Sequence, residues 1–290
     1  MVDVEVNPWG RRYLMCPPVH FEVAYAINPW MARDTPVDAD LAATQWEALI
    51  SLLADAGAEV EVLPPEEGLP DLVFTANAGL VDGDRFFPAR FRYPERQGET
   101  AHNAAWFADR GWRVEDLPPD TTHEGAGDAL PFGDTLVGGH RWRTDATAHE
   151  VVAQRTGAPL CLVELTDERY FHLDLTFCPL DARRALVAPH VWDEAGRRAV
   201  EALVPEPLVL TPEEADAFTA NSVVVGRNVV MTACPPRVGR QLEAWGFEVA
   251  VADVGEFEKS GGGVRCLTLA LDVTLSPARA YDTAPTVPPA

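Results

Sequence analysis

The chain has 290 residues, of which 47% are hydrophobic and 23% charged, enough to bury a large core as one domain or two. Its formal net charge of −22 argues against nucleic acid as a partner, since phosphates need a basic face. No apolar run reaches membrane-spanning length and residues 1–10 lack the apolar stretch of a signal peptide; five scattered cysteines without a CxxC pair fit a reducing cytoplasm, with neither a disulfide framework nor a zinc site.

Residues 13–17 read as a strand, followed by a helix over 39–56 and a strand over 59–63. Two apolar runs, 72–80 and 85–90, then flank the turn Asp82-Gly83-Asp84, ahead of a helix over 96–110 and a strand over 113–117. The series returns with runs 129–132 and 135–138 around Gly133-Asp134, helix 146–156 and strand 159–165. It returns again with runs 173–179 and 185–188, helix 193–203 and strand 207–210. A fourth copy has runs 222–225 and 229–232 around Gly226-Arg227-Asn228, helix 236–245 and strand 247–251. The last run, 266–275, completes a fifth unit by pairing with 13–17 across the termini.

The order is therefore ββαβ, five times, at about 45–60 residues per unit, a period that signals a propeller or solenoid. Helices inside each unit argue against an ordinary all-β propeller, and the terminal strand pairing would close a ring without free sheet edges. An open α/β sheet is the alternative, disfavoured because no βα turn carries GxGxxG and the hairpins are antiparallel. One catalytic domain is expected over 1–276, with 277–290 a disordered tail rich in Pro, Ala and Thr.

In such a ring the first strand of each unit converges on the axis, which should be apolar unless it holds a site. Each unit nonetheless carries polar residues there: Asp71 and Asn77, Glu124 and Asp128, His172 and Asp174, Asn221 and Ser222, and Cys266. Together they imply one shared cavity. His172 and Asp174 are two apart, so on a strand both would face the same side. Cys266 follows three glycines and Arg265; glycine permits close approach of a ligand, and the arginine would favour a nucleophilic thiolate. No GxSxG elbow or P-loop is present, and His172 with Asp174 and Glu124 is a poor zinc set, so no metal is expected.

At these residues the chain resembles the guanidino-group modifying superfamily, which includes arginine deiminase, dimethylarginine dimethylaminohydrolase, arginine dihydrolase and the amidinotransferases. The resemblance spans residues 15–271 and rests on four motifs: Phe74-Thr75-Ala76-Asn77, Glu124-Gly125-Ala126-Gly127-Asp128, His172-Leu173-Asp174, and Gly262-Gly263-Val264-Arg265-Cys266. It implies a five-bladed α/β propeller (the pentein fold) and a cofactor-free hydrolase acting on a small guanidino substrate. Cys266 would be the nucleophile and His172 the general acid and base. Glu124 would hold the guanidinium and orient His172, with Asp174 also pairing to the guanidinium. Arg90 and Arg143 would clamp the substrate α-carboxylate. Asp71 and Asn77 would line the site, and Asn28, in Ile27-Asn28-Pro29-Trp30-Met31, lies in a loop that could cover it.

Three departures bear on the substrate. Dimethylarginine hydrolases usually carry Lys where this chain has Asp174, and a carboxylate there suits an unmethylated nitrogen. Deiminases carry Asp where this chain has Asn77, whose donor and acceptor could both serve a neutral ureido group. The chain also lacks the length of typical deiminases. An arginine dihydrolase-like hydrolase, taking arginine to ornithine, ammonia and CO2, is therefore expected. Dimethylarginine dimethylaminohydrolase and arginine deiminase are the enzymatic alternatives, and a ribosome-binding factor of the same fold is the non-enzymatic one.

Overall fold

The computed structural model describes residues 7–32 and 36–275. It contains five three-stranded sheets, each built the same way: an antiparallel pair, a crossover helix, and a third strand parallel to the second. The first unit is Gly79–Asp82 and Arg85–Pro88, helix Glu99–Asp109 and strand Arg113–Val114. The second is Ala129–Phe132, Thr135–His140, helix Ala146–Thr156 and Leu160–Glu164. The third is Phe177–Pro179, Arg184–Val187, helix Glu194–Leu203 and Glu206–Val209. The fourth is Ser222–Val225, Asn228–Met231, helix Pro236–Ala244 and Glu248–Val251. The fifth joins Leu269–Ala270 to Arg12–Met15 in antiparallel register, Tyr13 opposite Ala270, and then uses helix Ala39–Asp55 and strand Glu59–Val62. The expected ββαβ repeat and its closure across the termini are both present. The expected tail, 277–290, lies outside the described residues.

Helix formation follows local sequence. Asp38 caps the first helix by accepting from Leu41 N, and that helix buries Ala42, Gln45, Leu49 and Leu53, one stripe at helical spacing. Burial of each leucine contributes about 1.5–3 kcal/mol, and the stripe fastens the helix to its own sheet. Asp193 caps the third unit's helix in the same way, accepting from Ala195 N and Gly196 N. Among the described residues no helix is long and apolar enough to cross a membrane.

The first runs differ from expectation. Residues 70–78 do not form the start of a strand but wind into two 3₁₀ turns, Pro70–Val73 and Thr75–Ala78. Gly125–Gly127 and Leu173–Leu175 do likewise, and 264–267 form a turn before the short strand Leu269–Ala270. Each turn satisfies backbone groups locally, as in Phe74 N to Asp71 O and Thr176 N to Leu173 O, which frees its polar side chains to face the axis.

These axial turns are tied into a closed ring. Ala76 N donates to Cys266 O, Asn77 Nδ2 to Glu124 O, and Leu173 N to Asp128 Oδ1. Asn221 Nδ2 donates to Asp174 O, and Arg265 N returns to Asn221 Oδ1. Every unit is thereby bonded to the next, so each polar residue is positioned by its neighbour as well as by its own sheet.

Candidate active site

One small cavity opens at this ring, lined among others by Asp71, Asn77, Arg96, Arg143, His172 and Cys266. The structure brings together most of the expected residues: Cys266, His172, Asn77, Asp71, Arg143 and Asn28 line it, while Glu124 and Asp174 stand directly behind His172 and Cys266. Its open space is about 20 Å³, room for about one water molecule. The segment over it is held shut by Asn28 Nδ2 to Ser260 O at 3.0 Å, Trp30 Nε1 to Arg169 O at 2.7 Å, and Arg143 Nη2 to Ile27 O at 3.0 Å.

Glu124 is wholly buried. Its Oε2 accepts from Arg143 Nη1 at 2.9 Å and lies 2.9 Å from His172 Nε2. Burial alone would raise its carboxyl, but Arg143, His172 and Arg96 outweigh that and hold it well below the ordinary range. For His172 burial wins: it lowers the imidazole to about 4 despite the Glu124 carboxylate. The pair is thus an anionic Glu124 beside a neutral His172. Nε2–H donates to the carboxylate, which leaves Nδ1 as the basic nitrogen. Gly127 makes the approach possible, since a Cβ there would lie 2.4 Å from Asn77 Nδ2 and 3.2 Å from the His172 ring.

Cys266 Sγ lies 3.2 Å from Asn221 Nδ2 and 3.5 Å from Asp174 Oδ2. Burial, then the Asp174 charge, push the thiol well above its ordinary value. Asp174 is itself raised to about 7 by burial, against the pull of Arg265. The expectation that Arg265 favours a thiolate is therefore corrected: its charge bears on Asp174, Tyr13 and Cys178, and the free sulfur is a neutral thiol. The placement of His172 and Asp174 is corrected too. They do not share a strand: extended His172 precedes the 3₁₀ turn that carries Asp174, so His172 points to Glu124 and Asp174 to Cys266.

Arg90 is not part of the cavity. Its guanidinium is held outside by Thr121 O at 3.2 Å and Pro119 O at 2.8 Å, and its backbone bridges to His123. The cavity holds Arg96 instead, which sequence reasoning missed. The sequence places it at the start of a helix over 96–110, with no role at the site. The helix begins only at Glu99, and the turn Pro94–Arg96 swings the side chain inward. Arg96 binds both oxygens of Glu99 at 2.7 and 2.8 Å, Asn77 Oδ1 at 2.8 Å and Asp71 O at 3.2 Å. The signal available in the sequence was Glu99 three residues on, an acid ready to pair with it.

Asp71 accepts from Tyr25 Oη at 3.0 Å through Oδ2, while its buried Oδ1 has no hydrogen-bond partner among the described residues. Asn77 is fixed at both ends, by Arg96 at its oxygen and by Glu124 O at its nitrogen. Among the described residues no cluster of His, Cys, Asp and Glu could hold a metal ion. The arrangement offers a buried thiol, an oriented neutral imidazole, three acids near the cavity and two arginines. It suits attack on a planar cation carried by a small zwitterion.

The family model for eukaryotic N,N dimethylarginine dimethylhydrolase matches residues 25–273. The chain belongs to this family. It is 40% identical to N(G),N(G)-dimethylarginine dimethylaminohydrolase of Mycobacterium tuberculosis over 91% of this chain and 86% of the relative. It is also 40% identical to the bifunctional arginine dihydrolase/ornithine cyclodeaminase AgrE of Nostoc, matching 89% of this chain but 37% of the longer relative. The N-terminal domain of cyanobacterial ArgZ, an arginine dihydrolase solved with substrate bound, superposes with a TM-score of 0.88 at 36% identity, over 91% of this chain and 99% of that domain. The five units are thus the α/β-propeller fold, and the protein is a hydrolase of the guanidino-modifying class. The ribosome-binding alternative is set aside on the same ground.

Proposed function

We propose that the protein is an arginine dihydrolase-like enzyme, converting L-arginine and two waters to ornithine, CO2 and two ammonia through a covalent Cys266 intermediate. The observation that carries this reading is Asp174 Oδ2 at 3.5 Å from Cys266 Sγ, a carboxylate at the point where the guanidinium carbon must arrive. Such an acceptor suits the N–H groups of an unmethylated terminus. Likeness to ArgZ, solved both with substrate and as a covalent reaction intermediate, supports the same reading.

The free thiol is neutral, so the substrate supplies the missing positive charge. A guanidinium between Asp174 and Glu124 offsets both acids and favours transfer of the Cys266 proton to the basic Nδ1 of His172, which thereby becomes the acid for the first leaving group. The thiolate attacks the guanidinium carbon to give a tetrahedral adduct. His172 delivers a proton to the departing ammonia, leaving a thiouronium, then takes a proton from water as it adds to the same carbon. Collapse expels the sulfur and leaves a ureido group. A second round on that carbon releases the second ammonia and leaves a thiocarbamate, whose hydrolysis gives a carbamate that loses CO2.

Arg143 and Arg96 are assigned to the substrate carboxylate. Arg143 has N–H groups beyond those given to Glu124 and Ile27 O, and Arg96 retains one on Nη1. The unpartnered Oδ1 of Asp71 is assigned to the substrate ammonium. Substrate entry requires residues 27–31 to swing away, since the cavity now holds about one water. All five cysteines are free, which supports a reducing cytoplasmic setting.

A second reading, dimethylarginine dimethylaminohydrolase, is favoured by the family match and the mycobacterial relative. Incubation of purified protein with each substrate separates them. Ornithine from arginine supports the first, citrulline from dimethylarginine with arginine untouched supports the second, and citrulline as the end product from arginine indicates a deiminase.

A further inference from the structure

The sequence places Asn221 among the axial polar residues without giving it a role, and the reaction as written does not use it. It belongs to the fourth unit and is wholly buried. Its Oδ1 accepts from Arg265 N at 2.9 Å and from Cys266 N at 3.4 Å. Two backbone N–H groups on one side of the amide fix which end is oxygen, because an NH2 there would face two donors. The opposite end must then be the donor, and it lies 3.2 Å from Cys266 Sγ and 3.4 Å from Asp174 O.

Its surroundings keep the amide in that pose. Thr232 Oγ1 donates to Asn221 O at 3.1 Å and accepts from Val264 N at 3.0 Å, binding the fourth unit to the cysteine turn. Gly263 has no side chain to intrude: a Cβ there would lie 2.4 Å from Thr232 Oγ1 and 2.7 Å from Asn221 Oδ1. The charges facing the sulfur all oppose its ionisation, since Asp174 is the nearest titratable group and Arg265 acts elsewhere. The amide is the side-chain donor aimed at it.

We propose that Asn221 is a positioning residue for the nucleophile: its carboxamide, oriented by the Arg265 and Cys266 N–H groups, donates Nδ2–H to Cys266 Sγ and stabilises the thiolate in place of a cation. This rests on Cys266 being the nucleophile. A donor to the charged form favours that form, and a neutral amide does so without competing with the substrate guanidinium for Asp174. The role is distinct from holding the turn, which only Oδ1 performs.

Asn221→Asp keeps the acceptor for both backbone N–H groups and, when ionised, has no hydrogen to donate to sulfur, but it adds a charge beside the sulfur. The uncharged Asn221→Ala, which removes both acceptor and donor, is therefore read with it, and both should move the sulfur's titration upward. The full-length chain is treated with iodoacetamide from pH 6 to 11, and alkylation of the Cys266 peptide is followed by mass spectrometry beside steady-state kinetics and melting curves. In Asn221→Asp the alkylation midpoint should move to higher pH, with at least tenfold less thiolate at pH 8. Its kcat should fall at least tenfold while KM changes little, and the melting curve shows that the variant is folded at the assay temperature. An unchanged alkylation midpoint in Asn221→Ala overturns the proposal and leaves only the backbone role, since a shift confined to Asn221→Asp is then that of the added charge. Full turnover by Cys266→Ser defeats the nucleophile reading itself, a separate result from any change in the sulfur's titration.

Discussion

His172 Nε2 lies 2.9 Å from Glu124 Oε2, the same oxygen that accepts from Arg143 Nη1. One buried carboxylate thus orients the imidazole of the third unit while neutralising an arginine of the second. Glu124→Gln keeps the shape but turns the acceptor into a weaker, flippable amide. We expect kcat to fall about 10²- to 10⁴-fold, the loss characteristic of a displaced acid–base group, and the melting temperature to fall as well, because buried Arg143 loses its anion. Stopped assays with arginine, beside a thermal melt, check this.

Asp174 opposes ionisation of Cys266 and also awaits the guanidinium. Asp174→Asn therefore acts in two directions. The sulfur should ionise at lower pH, because the nearby negative charge is gone, yet kcat/KM for arginine should fall by at least about tenfold, one lost charge-assisted hydrogen bond. Alkylation against pH and steady-state kinetics on the same variant give both signs. A variant with unaltered sulfur reactivity would contradict the electrostatic account.

Arg96 and Arg90 should behave differently, although both are arginines only six positions apart. Arg96→Leu leaves the buried Glu99 without its cation and should cost about 3–5 kcal/mol of stability, read in denaturant. Arg96→Lys should fold better but raise KM, since it loses the planar fork. Arg90→Ala should change KM by less than about twofold, since its guanidinium is spent on two carbonyls outside the cavity.

Three buried histidines set an acid limit. Burial lowers His123 to about 3 and both His149 and His172 to about 4. The unfolded chain, with histidines near 6.5, binds more protons between pH 6.5 and those values, so this contribution to stability is complete above pH 6.5 and is lost as pH falls. Asp174 and Glu99, each raised to about 7, act in the opposite sense, so a difference measurement is needed. Among the described residues His123 has no hydrogen-bond partner on either ring nitrogen. Relative to wild type, His123→Leu should gain up to about 1.4 kcal/mol per pH unit as pH drops from 6 to 4, measured by urea unfolding.

The repeat was legible because hairpin turns and helix stripes are local. The helix over Ala146–Thr156 has the bounds that the sequence suggests, and the helix expected over 193–203 begins one residue later, with Asp193 as its cap. The axial turns were not legible as turns. Residues 70–78 are nearly all buried and apolar in pattern, which mimics a strand; what bends them is the ring of bonds to neighbouring units, a tertiary cause. The same holds for charge. Arg265 adjoins Cys266 in sequence but its field falls on Asp174 and Tyr13, whereas Asn221, 45 residues away, meets the sulfur. Candidate catalytic residues were found because their residue types and repeat positions are informative. Arg90 entered through the family resemblance alone, and Arg96 had no part in the expected site because the turn that buries it forms outside the expected helix.

The central claim is that Cys266 breaks the terminal C–N bonds of arginine in two rounds. L-Arginine labelled with carbon-13 at the guanidino carbon tests it directly by NMR. Wild type should move the label to CO2 and bicarbonate with ornithine in equal amount, and Cys266→Ser should leave it in arginine. Label that stops in citrulline, or CO2 release that survives in Cys266→Ser, would contradict the account.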